Sequence, residues 1–347
     1  MRRTVAIIVA HDIVTDRKSD CSAKLSEPVL KNKTRIKAEY IKLRIKRPKT
    51  VAVRPLRYAR VNTLMLSTEE CLRELDSIGF KYADTLPDNN EDATNVFCND
   101  LHIRDLLVFA AGTDLTRTSL YRSGKLILQD KASCMPVAIL QPRPSSQVVD
   151  ACAAPGNKTT QLAASVGIDG KVFAFERDPK RAQILEATLR KHGCDKFVTS
   201  SCQDFLRTNP TEYAEVEYAL VDPSCSGSGI LESFEMTGIL DSASSEKTER
   251  LKTLSNFQCM ILRHAMQCTM MSYTLSTDIH LLILVPSIKR VVYSTCSIHR
   301  EENEEVVKQV LEAEPNFRLY TNPLPLWHRR GLLEYEFGSP ISLAPFL

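Results

Sequence analysis

Two cysteines lie where the sequence predicts that buried strands end. Cys225 falls in "VDPSCSGSG" and Cys296 in "VVYSTCSIHREENEEVV", each after an apolar run. Loops at strand ends often carry functional side chains, and a thiol whose pKa falls below its usual value of about 8.5 is a good nucleophile. We therefore interpret Cys225 and Cys296 as candidate nucleophiles. Five other cysteines are expected to be inert, buried small hydrophobes: Cys134, Cys194, Cys202, Cys259 and Cys268.

Three acidic residues follow neighbouring strand patterns in the same way. They are Glu176 after "KVFAF", Asp204 after "KFVTSSCQ" and Asp222 after "YALV". Each one taken singly is ordinarily a turn or helix-capping residue. The small-residue loop "DACAAPGNKT" opens a helix, where free backbone N–H groups favour an anionic group, yet it matches neither a Walker A loop nor G-x-G-x-x-G. Together these features predict a cleft for an adenosine-like ligand with a carboxylate tail.

The segments that position these residues alternate between strand and helix patterns from about residue 147. Such alternation predicts an α/β fold with a parallel sheet and ligands at the carboxyl ends of its strands. We expect five strands, in "SQVVDACA", "KVFAFERD", "KFVTSSCQD", "YALVDPSC" and "RVVYSTCS". Upstream, "RYARVNTL", "TEECLRELDSIGF" and "GKLILQDKAS" predict a smaller α+β module, with Pro55 and a basic run at its boundary.

The composition fits a globular protein of a reducing compartment. The 347 residues are 43% hydrophobic and 25% charged, and the 11 cysteines form no C-x-x-C pair. This composition predicts neither a disulfide framework nor a metal site, and "HLLILV" is far shorter than a membrane span of about 20 residues. The opening "MRRTVAIIVAHD" imitates a signal peptide but lacks a cleavage site. We expect no membrane and no metal.

A strong charge asymmetry lies behind the net charge of +3. Residues 1–60 hold 17 Lys and Arg against 5 acidic residues. Between residues 31 and 60 the basic residues alternate with Tyr40, Tyr58 and aliphatic side chains, a pattern suited to phosphate contacts and base stacking. A solvated amphipathic helix or a disordered tail remains the alternative for this run.

The motifs "DACAAPGNKT", "VDPSCSGSG" and "YSTCS" followed by "EENEE" resemble, in this order, the Nol/Nop/Sun family of RNA cytosine-C5 methyltransferases. Further similarity lies in "RVNTL" and "GKLILQDKAS", so the resemblance covers residues 57 to about 330. Most members have proline at the position of Ser224. With serine at this position, the chain resembles the branch of the family that modifies large-subunit ribosomal RNA.

The resemblance implies a Rossmann-like methyltransferase domain dependent on S-adenosylmethionine over residues 126–347. It also implies an RNA-binding α+β module over residues 55–125, preceded by a flexible basic extension over residues 1–54. The implied partner is RNA, most specifically ribosomal RNA, and the implied location is the nucleus and its nucleolus, with cytoplasm and mitochondrion as alternatives. The oligomeric state stays open.

The family also implies roles for particular residues. Cys296 would attack C6 of cytosine, Asp222 would hydrogen-bond the pyrimidine, and Cys225 would assist release after methyl transfer. Arg181 falls at a cofactor-contacting position, although a solvated helix arginine is the alternative. The implied cofactor-binding residues are Cys152, Ala153, Ala154, Pro155, Gly156, Asn157, Lys158, Glu176 near the ribose, Arg181, Asp204 near the adenine, and Asp222.

Two departures from the family pattern bear on activity. The segment "CTMMSYTLSTDIHLLILVPSIK" at residues 268–289 replaces a short connection and could displace the strand before Cys296. The chain ends in "SPISLAPFL" without the family's closing strand, so we expect an incomplete or alternatively spliced chain. A catalytically weakened RNA-binding assembly factor is therefore the second hypothesis. A dehydrogenase is a third, disfavoured by the absent G-x-G-x-x-G.

Overall fold

The computed structural model describes residues 3–14, 23–46, 55–86, 95–230, 245–267, 269–276, 279–286, 288–320, 324 and 326–327. The chain divides into two compact units, Met1–Pro55 and Leu56–Leu347. Among the described helices, none has the length and apolar character needed to cross a membrane.

The first unit consists of helices in its described part. They are α1 (Arg3–Val14), α2 (Ala23–Leu30) and α3 (Lys33–Lys46). Val9, Ile13 and Val29 form a small buried cluster with Ile36 packed against it. Tyr40 and the basic side chains of residues 31–37 are exposed or partly exposed on α3 and the turn before it.

The second unit begins with a five-stranded sheet of order β2-β3-β4-β1-β5. Its elements are β1 (Arg57–Val61), α4 (Thr68–Ser77), β2 (Lys81–Tyr82), β3 (Val96–Asn99), β4 (Leu106–Phe109), α5 (Ser119–Arg122) and β5 (Leu126–Leu128). Helix α4 begins where Ser67 and Glu70 form a reciprocal capping box. Strand β5 pairs with β1, so residues 126–128 belong to this first sheet.

A second, wholly parallel sheet follows in the order β12-β9-β6-β7-β8. All five strands predicted from the sequence are confirmed. The elements are α6 (Lys131–Leu140), β6 (Gln147–Asp150), α7 (Asn157–Val166), β7 (Lys171–Phe175), α8 (Pro179–Lys191), β8 (Val198–Ser201), β9 (Tyr218–Val221), α9 (Ser245–Met266), β10 (Thr269–Ser276), β11 (Ile279–Pro286), β12 (Arg290–Tyr293) and α10 (Glu304–Ala313).

Helices cover both faces of this sheet because its strands are apolar on both sides. Val148 faces a core shared with α6, α7 and α8, whereas Val149 faces a core shared with α9 and α10. Successive strand residues point to opposite faces, so adjacent valines serve different cores. Burial on both faces fixes the strand register, and the register in turn fixes where the strand-end loops lie.

The long segment before β12 does not displace that strand. Strands β10 and β11 pair with each other as a separate antiparallel hairpin. Strand β12 pairs in parallel with β9, with Val291 opposite Ala219 and Tyr293 opposite Val221. The expectation that the insertion could move Cys296 is therefore wrong, because a hairpin satisfies its own backbone hydrogen bonds and leaves the neighbouring pairing intact. The C-terminal "SPISLAPFL" lies outside the described residues.

Candidate active site

The two candidate nucleophiles lie side by side. Cys225 Sγ and Cys296 Sγ are 3.1 Å apart, although 71 residues separate them in the chain. They meet because β9 and β12 are parallel neighbours in register, so the loops that follow them leave the same edge of the sheet. Cys296 is exposed and Cys225 is partly exposed, so both thiols lie at an accessible edge.

The contact between the sulfurs separates the acidities of the two thiols. Either sulfur can be the donor in this contact, and the hydrogen bond with Cys225 lowers the pKa of the Cys296 thiol to about 7. The same hydrogen bond, together with burial, raises the pKa of Cys225. Cys296 is thus the thiol that reaches the reactive thiolate form near neutral pH.

Asp222 lies between the cysteines and the "DACAAPGNKT" loop. Ser294 Oγ donates to one carboxylate oxygen at 2.6 Å, and Lys158 Nζ contacts the other at 2.8 Å. The side chains of Lys158 and Asp222 are 20% and 28% exposed. Residues 150–159, "DACAAPGNKT", are called the cofactor loop below. The half-buried ion pair places Lys158 of this loop in contact with Asp222, the predicted pyrimidine-binding acid.

The cofactor loop ends at a position that requires glycine. Gly156 precedes α7 with a φ of +111°, in the left-handed region that L side chains rarely adopt. A Cβ there would lie 3.0 Å from Thr188 Cγ2 and 3.1 Å from Leu185 Cδ1. The loop therefore packs tightly on α8, and its backbone N–H groups open α7 as the sequence predicts for an anionic ligand group.

Glu176 and Arg181 form a second connection across this edge. The carboxylate of Glu176 is 4% exposed, accepts a hydrogen bond from Asp178 N at 2.9 Å and lies 3.3 Å from Arg181 Nη1. Arg181 Nη2 also donates to Ala154 O at 2.7 Å. Although its side chain is 48% exposed, Arg181 thus ties the loop after β7 to the loop after β6.

Asp204 and Cys152 have narrower local roles. One oxygen of Asp204 accepts from Leu206 N at 3.1 Å and caps the short 3-10 helix Phe205–Arg207. Burial strongly raises the pKa of the Cys152 thiol, so this cysteine stays protonated. The roles of both residues toward a cofactor remain predictions.

Asp150 was missed by the sequence reasoning. It ends β6, is 1% exposed, and accepts from Thr159 Oγ1 at 2.8 Å through Oδ2. Its Oδ1 is buried with no hydrogen-bond partner among the described residues. Burial raises the pKa of this carboxyl to about 6. The available signal was an acid at a strand end, the same signal that identified Glu176.

Arg60 was also missed, because the sequence grouped it with the exposed basic run. It lies on β1 and is 3% exposed, and burial lowers its pKa to about 10. Its guanidinium donates to Gln129 Oε1 at 2.9 Å and to Thr160 Oγ1 at 2.7 Å, the latter on α7. A buried arginine thus connects the first sheet to the helix that begins at the cofactor loop.

The prediction of burial is wrong for two of the other cysteines, Cys202 and Cys259. Cys202 is exposed, because it lies just beyond the end of β8, where the chain leaves the core. Cys134 and Cys194 are buried as predicted, Cys259 is partly exposed, and Cys268 lies outside the described residues.

Comparison with known proteins identifies the family. The profile of "16S rRNA methyltransferase RsmB/F" matches residues 137–332, which is more than half of the chain. A 25S rRNA (cytosine-C(5))-methyltransferase of Schizosaccharomyces pombe is 35% identical over 96% of this chain and 71% of its own length. The chain belongs to the Nol/Nop/Sun methyltransferase family. The family predicted from its motifs is confirmed.

Further matches agree with this family. The profile "NOL1/NOP2/Sun domain family member 5, ferredoxin-like domain" matches residues 55–129. A 26S rRNA (cytosine-C(5))-methyltransferase of Caenorhabditis elegans is 40% identical over 82% of this chain, and a 28S enzyme of Mus musculus is 40% identical over 80%. The chain spans only 62% and 56% of these two relatives.

Solved structures of the family share the fold. A methyltransferase homologue from Pyrococcus horikoshii has a TM-score of 0.59 and 25% identity, over 86% of this chain and 88% of that one. NSun6 from the same organism has a TM-score of 0.53 and 18% identity, over 80% and 84% of the two chains. The predicted α/β methyltransferase fold is confirmed. Across the described residues, no cluster of three or more His, Cys, Asp or Glu side chains could hold a metal ion.

Proposed function

We propose that this chain is an RNA cytosine-C5 methyltransferase that uses S-adenosylmethionine and acts on large-subunit ribosomal RNA. The observation that carries the proposal is the thiol pair, Cys225 and Cys296, at 3.1 Å beside Asp222. Three relatives named as methyltransferases of 25S, 26S and 28S rRNA support the substrate class. Because ribosomal RNA is made in the nucleolus, that compartment is the proposed location.

The geometry supports a covalent mechanism. Carbon C5 of cytosine is too weak a nucleophile to take a methyl group directly. In the proposed reaction the Cys296 thiolate adds to C6, and the electron pair displaced from the C5–C6 bond makes C5 nucleophilic. C5 would then take the methyl group as its bond to the sulfonium of S-adenosylmethionine breaks, with S-adenosylhomocysteine as the leaving group. A base from solvent removes the C5 proton, and the electrons of that C–H bond re-form the C5–C6 bond as the C6–S bond breaks and the Cys296 thiolate leaves. The target base must first be unpaired or extruded.

Asp222 and Cys225 have separate proposed roles in this sequence. Asp222, held by Ser294 and Lys158, hydrogen-bonds the pyrimidine and stabilises the adduct. Cys225, whose raised pKa keeps its proton, lies beside the sulfur that must leave and donates a hydrogen bond to it as the C6–S bond breaks. The two thiols thus differ in protonation at the same pH, as a nucleophile and a release group require.

The residues at the strand ends fit the proposed cofactor. Bound S-adenosylmethionine supplies an electrophilic methyl group on a sulfonium. The backbone from Cys152 to Lys158 would hold its methionine end, Glu176 its ribose and Asp204 its adenine. The orphan Oδ1 of Asp150 is an acceptor fit for an ammonium group, and Gly156 lets the loop pack closely on α8. Arg181 would orient Glu176.

The assembly-factor hypothesis loses its main support. It depended on displacement of Cys296 by the insertion, whereas β12 pairs in register with β9. The proposal is tested by bisulfite sequencing of large-subunit ribosomal RNA and transfer RNA after incubation with this chain and S-adenosylmethionine. A new protected cytosine in the ribosomal RNA is expected. Protection of transfer RNA alone would overturn the substrate, and no protection in either RNA would favour the assembly factor.

Replacing Glu176 with alanine is expected to weaken S-adenosylmethionine binding by about 1 to 3 kcal/mol, because a buried hydrogen bond to the ribose is lost. Isothermal titration calorimetry measures the change. Glu186→Ala on the exposed side of α8 is the matched control and should bind normally. Equal affinity of Glu176→Ala and the control would remove Glu176 from the site.

Replacing Asp150 with asparagine is expected to stabilise the ligand-free protein at neutral pH. The pKa of Asp150 is raised from 3.8 in the unfolded chain to about 6 in the native state. Protonated Asp150 therefore stabilises the native state relative to the ionised form. This stabilisation is fully present below the unfolded pKa of 3.8 and is lost as pH rises through the native pKa of about 6. The ionised carboxylate costs the native state about 3 kcal/mol. Urea unfolding should show the variant more stable at about pH 8 and the difference vanishing near pH 4. A difference independent of pH would contradict this.

Removal of residues 1–54, the proposed basic RNA-contacting extension, is expected to weaken binding to unrelated RNA sequences and to flatten the dependence of affinity on salt. The cut lies at the border of the first compact unit, so the module proposed over residues 55–125 and the methyltransferase domain proposed over residues 126–347 stay intact. Filter binding across a salt series measures the slope. An unchanged slope would show that the extension does not contact RNA.

A further inference from the structure

Glu302 is a fully buried acid close to the two thiols. It ends the short 3-10 helix Arg300–Glu302 and is 0% exposed. Its Oε1 accepts hydrogen bonds from Ser226 N at 2.9 Å and Gln258 Nε2 at 3.0 Å. Its Oε2 is buried without a partner in the part of the chain that the structure describes. A buried, incompletely paired carboxylate costs stability, so its presence points to a role other than stability.

The contacts of Glu302 and Gln258 flank Cys225. Gln258, on α9 and also 0% exposed, donates through Nε2 to Ser224 O at 3.1 Å. Ser224 and Ser226 are the two chain neighbours of Cys225, so the backbone is held on both sides of the thiol. The carbonyl of Ser224 accepts a hydrogen bond from Gln258, and the N–H of Ser226 donates one to Glu302.

The same network reaches the strand that leads to Cys296. The hydroxyl of Tyr293, the last residue of β12, contacts Glu302 O at 2.5 Å and Gln258 Oε1 at 3.2 Å. The loop of Cys296 has a separate support, because Asn303 Oδ1 accepts from Thr295 Oγ1 at 2.6 Å and Asn303 Nδ2 donates to Ser297 O at 3.0 Å. The two loops also bond to each other, since Gly229 N donates to Cys296 O at 2.9 Å and Ile298 N donates to Ser228 Oγ at 3.0 Å. Their other supports differ: Glu302 holds the backbone next to Cys225, and Asn303 holds the residues on both sides of Cys296.

We propose that Glu302, together with Gln258, is a positioning residue for Cys225 and sets the rate at which the covalent RNA adduct is released. This inference rests on the proposed function. Without the Glu302 carboxylate, the N–H of Ser226 loses its acceptor and the backbone beside Cys225 can shift. Thr295 and Ser297, on either side of Cys296, keep their hydrogen bonds to Asn303. Attack on C6 then continues, but the release group is misplaced.

The test is a time course of adduct formation and decay with a substrate RNA and S-adenosylmethionine, read by denaturing electrophoresis. Glu302→Ala and Gln258→Met are expected to accumulate adduct, with release slowed by about tenfold to a hundredfold, as small displacements of catalytic groups cause. Glu302→Gln keeps an oxygen acceptor for Ser226 N and should release close to the wild-type rate. Asn303→Ala should instead form less adduct, and Glu301→Gln, next to Glu302 but not fully buried, is the neutral control.

The possible failures are distinguishable. If Cys225→Ala accumulates the adduct but Glu302→Ala and Gln258→Met both release it at the wild-type rate, Glu302 has no positioning role for Cys225. Should Glu302→Ala not fold, Gln258→Met decides, because any adduct that it forms requires a folded site. Absence of trapping in Cys225→Ala itself would overturn the release role in the proposed function and leave these variants as a separate result.

Discussion

Replacing Cys296 with alanine is expected to abolish both methylation of RNA and any covalent protein-RNA species. Without the thiolate no bond to C6 forms, and C5 never becomes nucleophilic. The loss should be complete within detection, because Cys296 is the one cysteine among the described residues whose pKa is lowered. The measurements are methyl incorporation into RNA and denaturing electrophoresis of the same reactions.

Two further measurements sharpen this expectation. RNA and S-adenosylmethionine binding should persist in Cys296→Ala, since neither depends on the thiolate. In the wild type, adduct formation should slow as pH falls below about 7, the value to which the hydrogen bond from Cys225 lowers the pKa of Cys296. An adduct formed by Cys296→Ala but not by Cys225→Ala would reverse the roles assigned to the two cysteines.

Replacing Cys225 with alanine is expected to give the opposite result, an accumulated covalent RNA adduct. Attack and methyl transfer continue through Cys296, but the group that assists release is gone. The adduct should survive denaturing electrophoresis and disappear on nuclease digestion. Cys202→Ala is the matched control, since Cys202 is exposed on a different loop and should turn over normally.

The pH dependence gives Cys225→Ala a second signature. Removal of the S–H that donates to Cys296 takes away the main cause of the lowered pKa of the nucleophile. Adduct formation in this variant should therefore require a higher pH than in the wild type. A trapped adduct with an unchanged pH profile would keep the release role and contradict the hydrogen bond as the source of acidity.

Much of the fold could be predicted from local patterns. The strand "YALV" is buried on both faces, and continuous apolar runs are typical of parallel strands between helix layers. The small-residue loop and the acids at strand ends then follow from chain order, because the carboxyl ends of parallel strands share one edge. Glu176, Asp222, Cys225 and Cys296 were identified in this way.

The remainder depended on contacts between distant segments. Nothing in the local sequence distinguishes Arg60 from the other basic residues of the run. It is buried because strand alternation turns it toward α7. In the sequence, Glu302 is one of several acidic residues near the start of a helix. Packing of α9 places Gln258 in hydrogen-bonding contact with both Glu302 and Ser224. Neither pairing has a periodic or local signal.

The sequence by itself determined the family, the parallel sheet and the candidate site residues, because residue type and strand order are local properties. The tertiary structure decided that the two thiols lie 3.1 Å apart and that their acidities differ. It also decided that the insertion forms its own hairpin and leaves β12 in register. These outcomes depend on distances and burial across the sheet, and the free energy of a hydrogen bond or a buried charge is set by that geometry alone.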